Sequence, residues 1–190
     1  MSSANPSFLT PTEYLELERK AEVKSEYING RMYAMVGATL PHGFIVTNLI
    51  REISTQLLGK NCRVVPIDVR VKVSPTGMYT YPDVVAFCGE PELEDKHRDT
   101  LLNPALIAEV LSPSTEAYDR GEKFAHYRRI DTLQEYVLVA QDKMRVEHYR
   151  REGDQWILTE LNTPHAILRL RSIDCQIELS AVYRDVDLLT

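Results

Sequence analysis

Residues 104–116 read Pro-Ala-Leu-Ile-Ala-Glu-Val-Leu-Ser-Pro-Ser-Thr-Glu. The first eight are apolar except for Glu109, the composition of a strand buried on both faces. Ser112 to Glu116 carries the hydroxyl, proline and acidic residues that open a helix, and the helical pattern runs on to about residue 130. Comparable buried strands occupy 83–88 and 135–140. A helix between two buried strands implies a crossover, and a crossover implies parallel neighbours in a sheet. The expected fold class is therefore α/β (α+β mixed), a mixed central β-sheet flanked by helices.

Working outward, residues 1–10 form a polar tail expected to fray, and 11–190 read as a single domain without repeats or linkers. Thr10-Pro11-Thr12-Glu13 has the spacing of a capping box, with proline in the first helical turn, and predicts a helix to about residue 20. Asn29-Gly30 between two short strand-like runs predicts a tight hairpin, because both turn positions favour positive φ. Phe44, Ile45, Leu49, Ile53, Leu57 and Leu58 follow a helical period over 42–58, with Gly59 placed to cap the C-terminus. The period then drops to two, and residues 63–74 read as one half-solvated strand followed by a turn at 74–80. Residues 89–103 are charged and predict a surface loop. An antiparallel meander is expected at 144–150, 155–161 and 166–171, then one helical turn at 179–183.

Composition narrows the function classes. The chain has 190 residues, 22 Lys+Arg against 28 Asp+Glu, and a formal net charge of −6. That balance argues against a protein that coats nucleic acid nonspecifically, since phosphate neutralisation needs surplus cations. A local basic patch remains compatible with it, and Arg120, Lys123, Arg128 and Arg129 share one helix. No apolar run approaches the ~20 residues that span a bilayer, so no membrane partner is expected. The N-terminus lacks a basic and apolar leader, which makes the expected compartment cytoplasmic. Cys62, Cys88 and Cys175 are widely spaced and odd in number; they read as small buried hydrophobes, neither a disulfide framework nor a zinc site.

Charge in an apolar strand is the clearest chemical signal. A lone buried carboxylate costs several kcal/mol unless it is paired or binds a cation, and Glu109 stands in such a strand. Asp83 opens the apolar strand after Pro82. Two carboxylates on neighbouring strands converge naturally on a hard divalent cation such as Mg²⁺; Asp83 alone also suits a turn-closing role, and Glu109 alone an ion pair with an arginine. Asp119, Lys123 and Tyr127 recur at four-residue intervals on one helix face. That face supplies either an exposed ion pair or a lysine beside a phosphate. Asp68 interrupts an apolar alternation and is a lesser candidate for the same site, as is His42 at the start of the long helix.

The strings Tyr81-Pro82-Asp83-Val84-Val85, Glu109-Val110-Leu111-Ser112-Pro113-Ser114-Thr115 and Asp119-Arg120 with Lys123 resemble those of the restriction endonuclease family common in cyanobacteria, of the PD-(D/E)XK nuclease superfamily. Glu26-Tyr27-Ile28-Asn29-Gly30, His42 and Glu135-Tyr136 extend the likeness over most of the chain. The resemblance implies a restriction-endonuclease-like core and Mg²⁺-dependent hydrolysis of DNA phosphodiesters, with Mn²⁺ as a substitute. It implies Asp83 and Glu109 as metal ligands and catalytic residues, Lys123 as the catalytic lysine, and Glu26 as an acidic residue contributed from the N-terminal region. The superfamily's lysine two positions after the second carboxylate is Leu111 here, a departure that displaces the role to Lys123. Cleavage of two strands by two copies makes a homodimer the expected assembly, with the meander offering an edge. Two other readings stay open: an idle member serving as a binding or regulatory module, and a hydrolase of small phosphoesters.

Overall fold

A computed structural model describes residues 8–66 and 68–188; most of the expected frayed tail, residues 1–7, lies outside them. In chain order the elements are α1 (Pro11–Glu18), β1 (Ser25–Ile28), β2 (Arg31–Ala34), α2 (Leu40–Gln56), β3 (Cys62–Pro66), β4 (Arg70–Val73), β5 (Met78–Thr80), β6 (Val84–Cys88), β7 (Thr100–Leu101), β8 (Leu106–Leu111), α3 (Glu116–Tyr118), a π turn (Asp119–Lys123), α4 (Phe124–Tyr127), β9 (Glu135–Ala140), β10 (Val146–Glu152), β11 (Gln155–Leu161), β12 (Ile167–Leu170), β13 (Cys175–Glu178) and α5 (Leu179–Val182). A six-stranded sheet runs β11-β10-β9-β8-β6-β3, a five-stranded sheet runs β2-β1-β5-β4-β7, and β12 pairs with β13.

The expected crossover is present. β8 and β9 pair in parallel from Leu106–Glu135 to Leu111–Ala140, and the α3–π–α4 segment carries the chain between them. Alternation along β8 divides two cores. Leu106, Ala108 and Val110 face α2, the β12–β13 hairpin and α5, while Ile107 and Leu111 face β4, β5 and α4. β6 does the same, sending Val84 and Ala86 one way and Val85 the other. Both faces being covered explains why the central strands are almost wholly apolar.

Local signals hold at the N-terminus. Thr10 Oγ1 accepts from the Glu13 amide at 3.3 Å, and the Glu13 carboxylate accepts from the Thr10 amide at 2.7 Å, closing the capping box. Leu9 is not frayed: its amide donates to the Gly30 carbonyl at 2.9 Å. Asn29 and Gly30 take φ of 49° and 83°, as the predicted hairpin turn requires. The long helix starts at Leu40, with Thr39 as its N-cap.

Four expectations are corrected. The strand expected at 63–74 is two strands in different sheets, parted after Pro66, whose missing N–H cannot continue a ladder. Residues 78–80, expected in a turn, form β5 and pair with both β1 and β4. The last strand of the expected meander leaves the main sheet for its own hairpin with β13. Cys62 and Cys88 form a disulfide, because antiparallel pairing of β3 with β6 puts them directly opposite each other; a separation of 26 residues gives no hint of this. Cys175 is free and buried.

The 89–103 excursion is pinned rather than loose. Arg19 donates to Asp95 at 2.8 Å and to Asp99 at 2.9 Å, Arg70 pairs with Asp99, and Lys72 meets Glu94 at 2.6 Å. Hydrogen bonds from Arg19, with further help from Arg70, hold the Asp99 carboxyl well below the usual carboxylate range. Its contribution to stability is complete above the ordinary carboxylate pKa and disappears as pH falls toward the depressed value. Asp99→Asn should therefore cost about 1 kcal/mol at pH 7 after screening of this part-exposed group. Urea titrations should show that gap closing toward pH 2, roughly the lower limit of the titration.

Candidate functional site

The carboxylates meet because of strand register. β6 and β8 are antiparallel, with Val84 opposite Ala108, so the next pair outward is Asp83 and Glu109. Alternation sends both side chains to the face covered by the crossover helix. They clasp each other: Asp83 Oδ2 accepts from the Val110 amide at 2.7 Å, and the Asp83 amide donates to Glu109 Oε2 at 3.3 Å.

Lys123 enters from the π turn. A π turn holds one residue more than an α turn and recurs at functional sites. The Lys123 ammonium lies 2.9 Å from Glu109 Oε1, 3.1 Å from Glu26 Oε1 and 3.5 Å from Asp119 Oδ1. The expected four-residue face is thus real, but it points inward and is buried. The Tyr127 hydroxyl, one turn on, donates to Glu109 Oε1 at 2.9 Å. Thr80 links that hydroxyl, 3.1 Å away, to Glu26, to which it also hydrogen-bonds. Tyr136 braces the π turn by donating to the Asp119 carbonyl at 3.0 Å.

Of the sequence candidates, Glu26, Asp83, Glu109, Asp119 and Lys123 converge, and His42 joins them. His42 Nε2 lies 3.2 Å from Asp83 Oδ2, brought there by the first turn of α2. Asp68 does not join. The break after Pro66 leaves it in the turn before β4, 74% exposed and paired with Lys24. The expected basic helix face also dissolves. Arg120 is held by Glu116 at 2.9 Å and by Glu147, Lys123 is in the site, and only Arg128 and Arg129 are exposed. Tyr127 shared the predicted face without being singled out, and Thr80 carried no signal because its strand has three residues.

Charge at the cluster is out of balance. Burial, reinforced by Asp83 and Asp119, pushes the Glu109 carboxyl up against the pull of Lys123. Burial likewise raises Asp119. Burial works to lower Lys123, but Glu109, Glu26 and Asp119 outweigh it and hold the ammonium firmly charged.

The donor set suits a hard cation. Among the described residues no three His, Cys, Asp or Glu side chains form a ready-made cage. Mg²⁺, however, commonly takes only one or two protein carboxylates and completes its shell with water and substrate phosphate. Asp83 and Glu109 each spend one oxygen on strong protein contacts. Asp83 Oδ1 accepts no hydrogen bond among the described residues, and Glu109 Oε2 accepts only the long one from Asp83. Both open onto a cleft of about 600 Å³ between the β1–β2 hairpin, the start of α2 and the crossover segment.

The model of the Uma2 family, described as "Putative restriction endonuclease", matches residues 11–181. The chain belongs to the Uma2 family. Two proteins of Synechocystis sp. are similar. Uncharacterized protein sll1609 is 40% identical over 162 residues, covering 85% of this chain and 92% of that protein. Uncharacterized protein slr1290 is 35% identical over 177 residues, covering 93% and 92%. A crystal structure from Anabaena variabilis, described as "a putative nuclease belonging to DUF820", superposes with a TM-score of 0.76 at 20% identity, over 92% of this chain and 97% of that one. This last likeness bears on the fold, and it confirms the mixed α/β core of this Uma2 chain.

Removing the ammonium should expose the imbalance. Glu109 and Asp119 are raised in the folded state, so the fold binds more protons than the unfolded chain and loses stability as pH climbs through those values. Lys123→Met raises them further. Chemical denaturation should show a loss of about 3 kcal/mol at alkaline pH, shrinking as the pH is lowered and the carboxyls protonate.

Proposed function

We propose that this Uma2 protein is a divalent-cation-dependent endonuclease that hydrolyses phosphodiester bonds in DNA. The observation that supports it most is the Asp83–Glu109 clasp, open to a cleft and flanked by a buried ammonium. In this reading Asp83 and Glu109 hold Mg²⁺ or Mn²⁺, which supplies Lewis-acid polarisation of a phosphate oxygen and makes water more acidic. Lys123 donates hydrogen bonds to the attacking water or to the charge that grows on the phosphate oxygens. Glu26 and Asp119 hold the lysine charged and aimed, and Glu26 is steadied by Thr80. Tyr127 fixes the Glu109 rotamer by occupying Oε1, which directs Oε2 to the cleft. His42 orients Asp83 in the same way, with its Nε2 3.2 Å from Asp83 Oδ2.

Supercoiled plasmid should be nicked in Mg²⁺ or Mn²⁺ and left intact in EDTA. Glu109→Gln and Asp83→Asn, near-isosteric changes, should each lower the rate at least about a hundredfold. Cleavage that survives in both variants would sink the site assignment. In thermal melts without DNA, Mn²⁺ should raise the midpoint of the native chain and leave that of Asp83→Asn unmoved. A protein that gains no stability from cations and cuts nothing would instead be an idle member of the family.

The proposed assembly is a homodimer. β11 lies at the edge of the six-stranded sheet, carries exposed Ile157 and Leu158, and has neither Lys nor Pro to discourage pairing. The opposite edge, β3, carries Arg63 and Pro66. Sedimentation should give a dimer for the native chain and a monomer for Leu158→Lys.

A further inference from the structure

The walls of the cleft differ in chemistry from its floor. Lys123 is the only lysine or arginine lining it among the described residues, and three carboxylates already surround that ammonium. A duplex is gripped through phosphates on both strands, and each neutralised phosphate calls for a cation or an N–H group. The walls instead present Tyr33, Met35 and Val36 on one side and Pro113 and Tyr118 on the other. Tyr33 is 50% exposed and Val36 77% exposed, an apolar mouth on a polar site.

Two details tie these groups to the reacting centre. In the β1–β2 register Tyr33 directly opposes Glu26, so their side chains leave the same face of the hairpin. Glu26 in turn touches Lys123, which sets the exposed ring one side chain away from the ammonium. Across the cleft, the Tyr118 ring centroid lies 5.9 Å from the Lys123 nitrogen. Its hydroxyl is buried and has no hydrogen-bond partner among the described residues. A hydroxyl shut off from solvent is out of reach from the cleft, so Tyr118 contributes wall there and no polar contact.

We infer that the cleft takes an unpaired DNA strand, with one nucleobase stacked on Tyr33 and the scissile phosphate at Asp83, Glu109 and Lys123. The inference rests on the hydrolytic reading above and narrows its substrate. Bases in a duplex show only their edges, whereas an unpaired strand offers the ring faces that an exposed tyrosine can cover. A single strand also brings half the phosphate charge toward a chain of net charge −6. With so few cations at the cleft, its binding should depend only weakly on salt, since each neutralised phosphate contributes about −0.7 to the logarithmic slope.

The test is fluorescence anisotropy of the full chain with a labelled oligonucleotide, single-stranded and as its matched duplex, in Ca²⁺ across a salt series. A parallel assay follows cleavage of both DNAs in Mg²⁺. The single strand should bind at least about tenfold tighter and with a shallow slope; Tyr33→Ala should lose about tenfold in affinity for it, and Tyr33→Phe should retain it. Tyr33 is half exposed, so neither change threatens the fold. Equal or tighter duplex binding, or a neutral Tyr33→Ala, overturns the unpaired-strand inference; Mg²⁺-dependent cleavage of duplex would then leave the nuclease reading standing. Single-strand preference without cleavage of any DNA keeps the strand inference and removes the hydrolytic reading.

Discussion

One ammonium group holds together the part of the molecule where chemistry is concentrated. Lys123 reaches Glu26 from the N-terminal hairpin, Glu109 from the central sheet and Asp119 from its own π turn. Without it three carboxylates would share a space that water barely enters, and burial would force protons onto them. Burial keeps Glu109 and Asp119 raised even so, and the surplus negative charge of the cluster adds to it. A site stabilised in this incomplete way is disposed to accept a further positive charge.

The clasp beside it works by a different principle. Asp83 and Glu109 are tied to each other's strands through main-chain amides, so their positions follow from sheet register rather than from side-chain choice. A one-residue slip of β6 against β8 would send one carboxylate into the α2 core. Apolar packing on both faces guards against that slip, and the cross-strand bond from Cys62 to Cys88 holds the far end of β6 in register with β3.

What could be read from the chain, and what could not, divides by range. The Thr10 capping box, the Asn29-Gly30 turn and the Asp119-Lys123-Tyr127 face are local patterns, and all appear as expected. Glu109 announced itself because a charge in an otherwise buried strand demands a reason. Asp68 misled because a period of two was carried through Pro66, where the chain changes sheets. The pairing of β5 with β1 and the Cys62–Cys88 bond depend on partners tens of residues away, which no local pattern encodes, while β5 and β13 are only three and four residues long, too short to show a period of their own. The polarity of the cleft walls was equally hidden, since Tyr33 and Tyr118 meet the site only through the hairpin register and the crossover.

The π turn has an evolutionary consequence. An α-helix advances about 100° per residue, so one residue more or less rotates everything beyond it by roughly that angle. Lys123 and Tyr127 both face the cluster across a turn over Asp119–Lys123 that absorbs one residue more than an α turn. Gly121 and Glu122 lie on its exposed side, and a Cβ added at Gly121 would meet nothing within 4 Å, so both positions have room for exchange. Their number has slack as well: losing one of them would turn the π turn into an ordinary α turn, with the aspartate and lysine three apart and still on one face. This stretch should therefore vary in composition among relatives and accept the loss of one residue, which the turns on either side of it would not absorb.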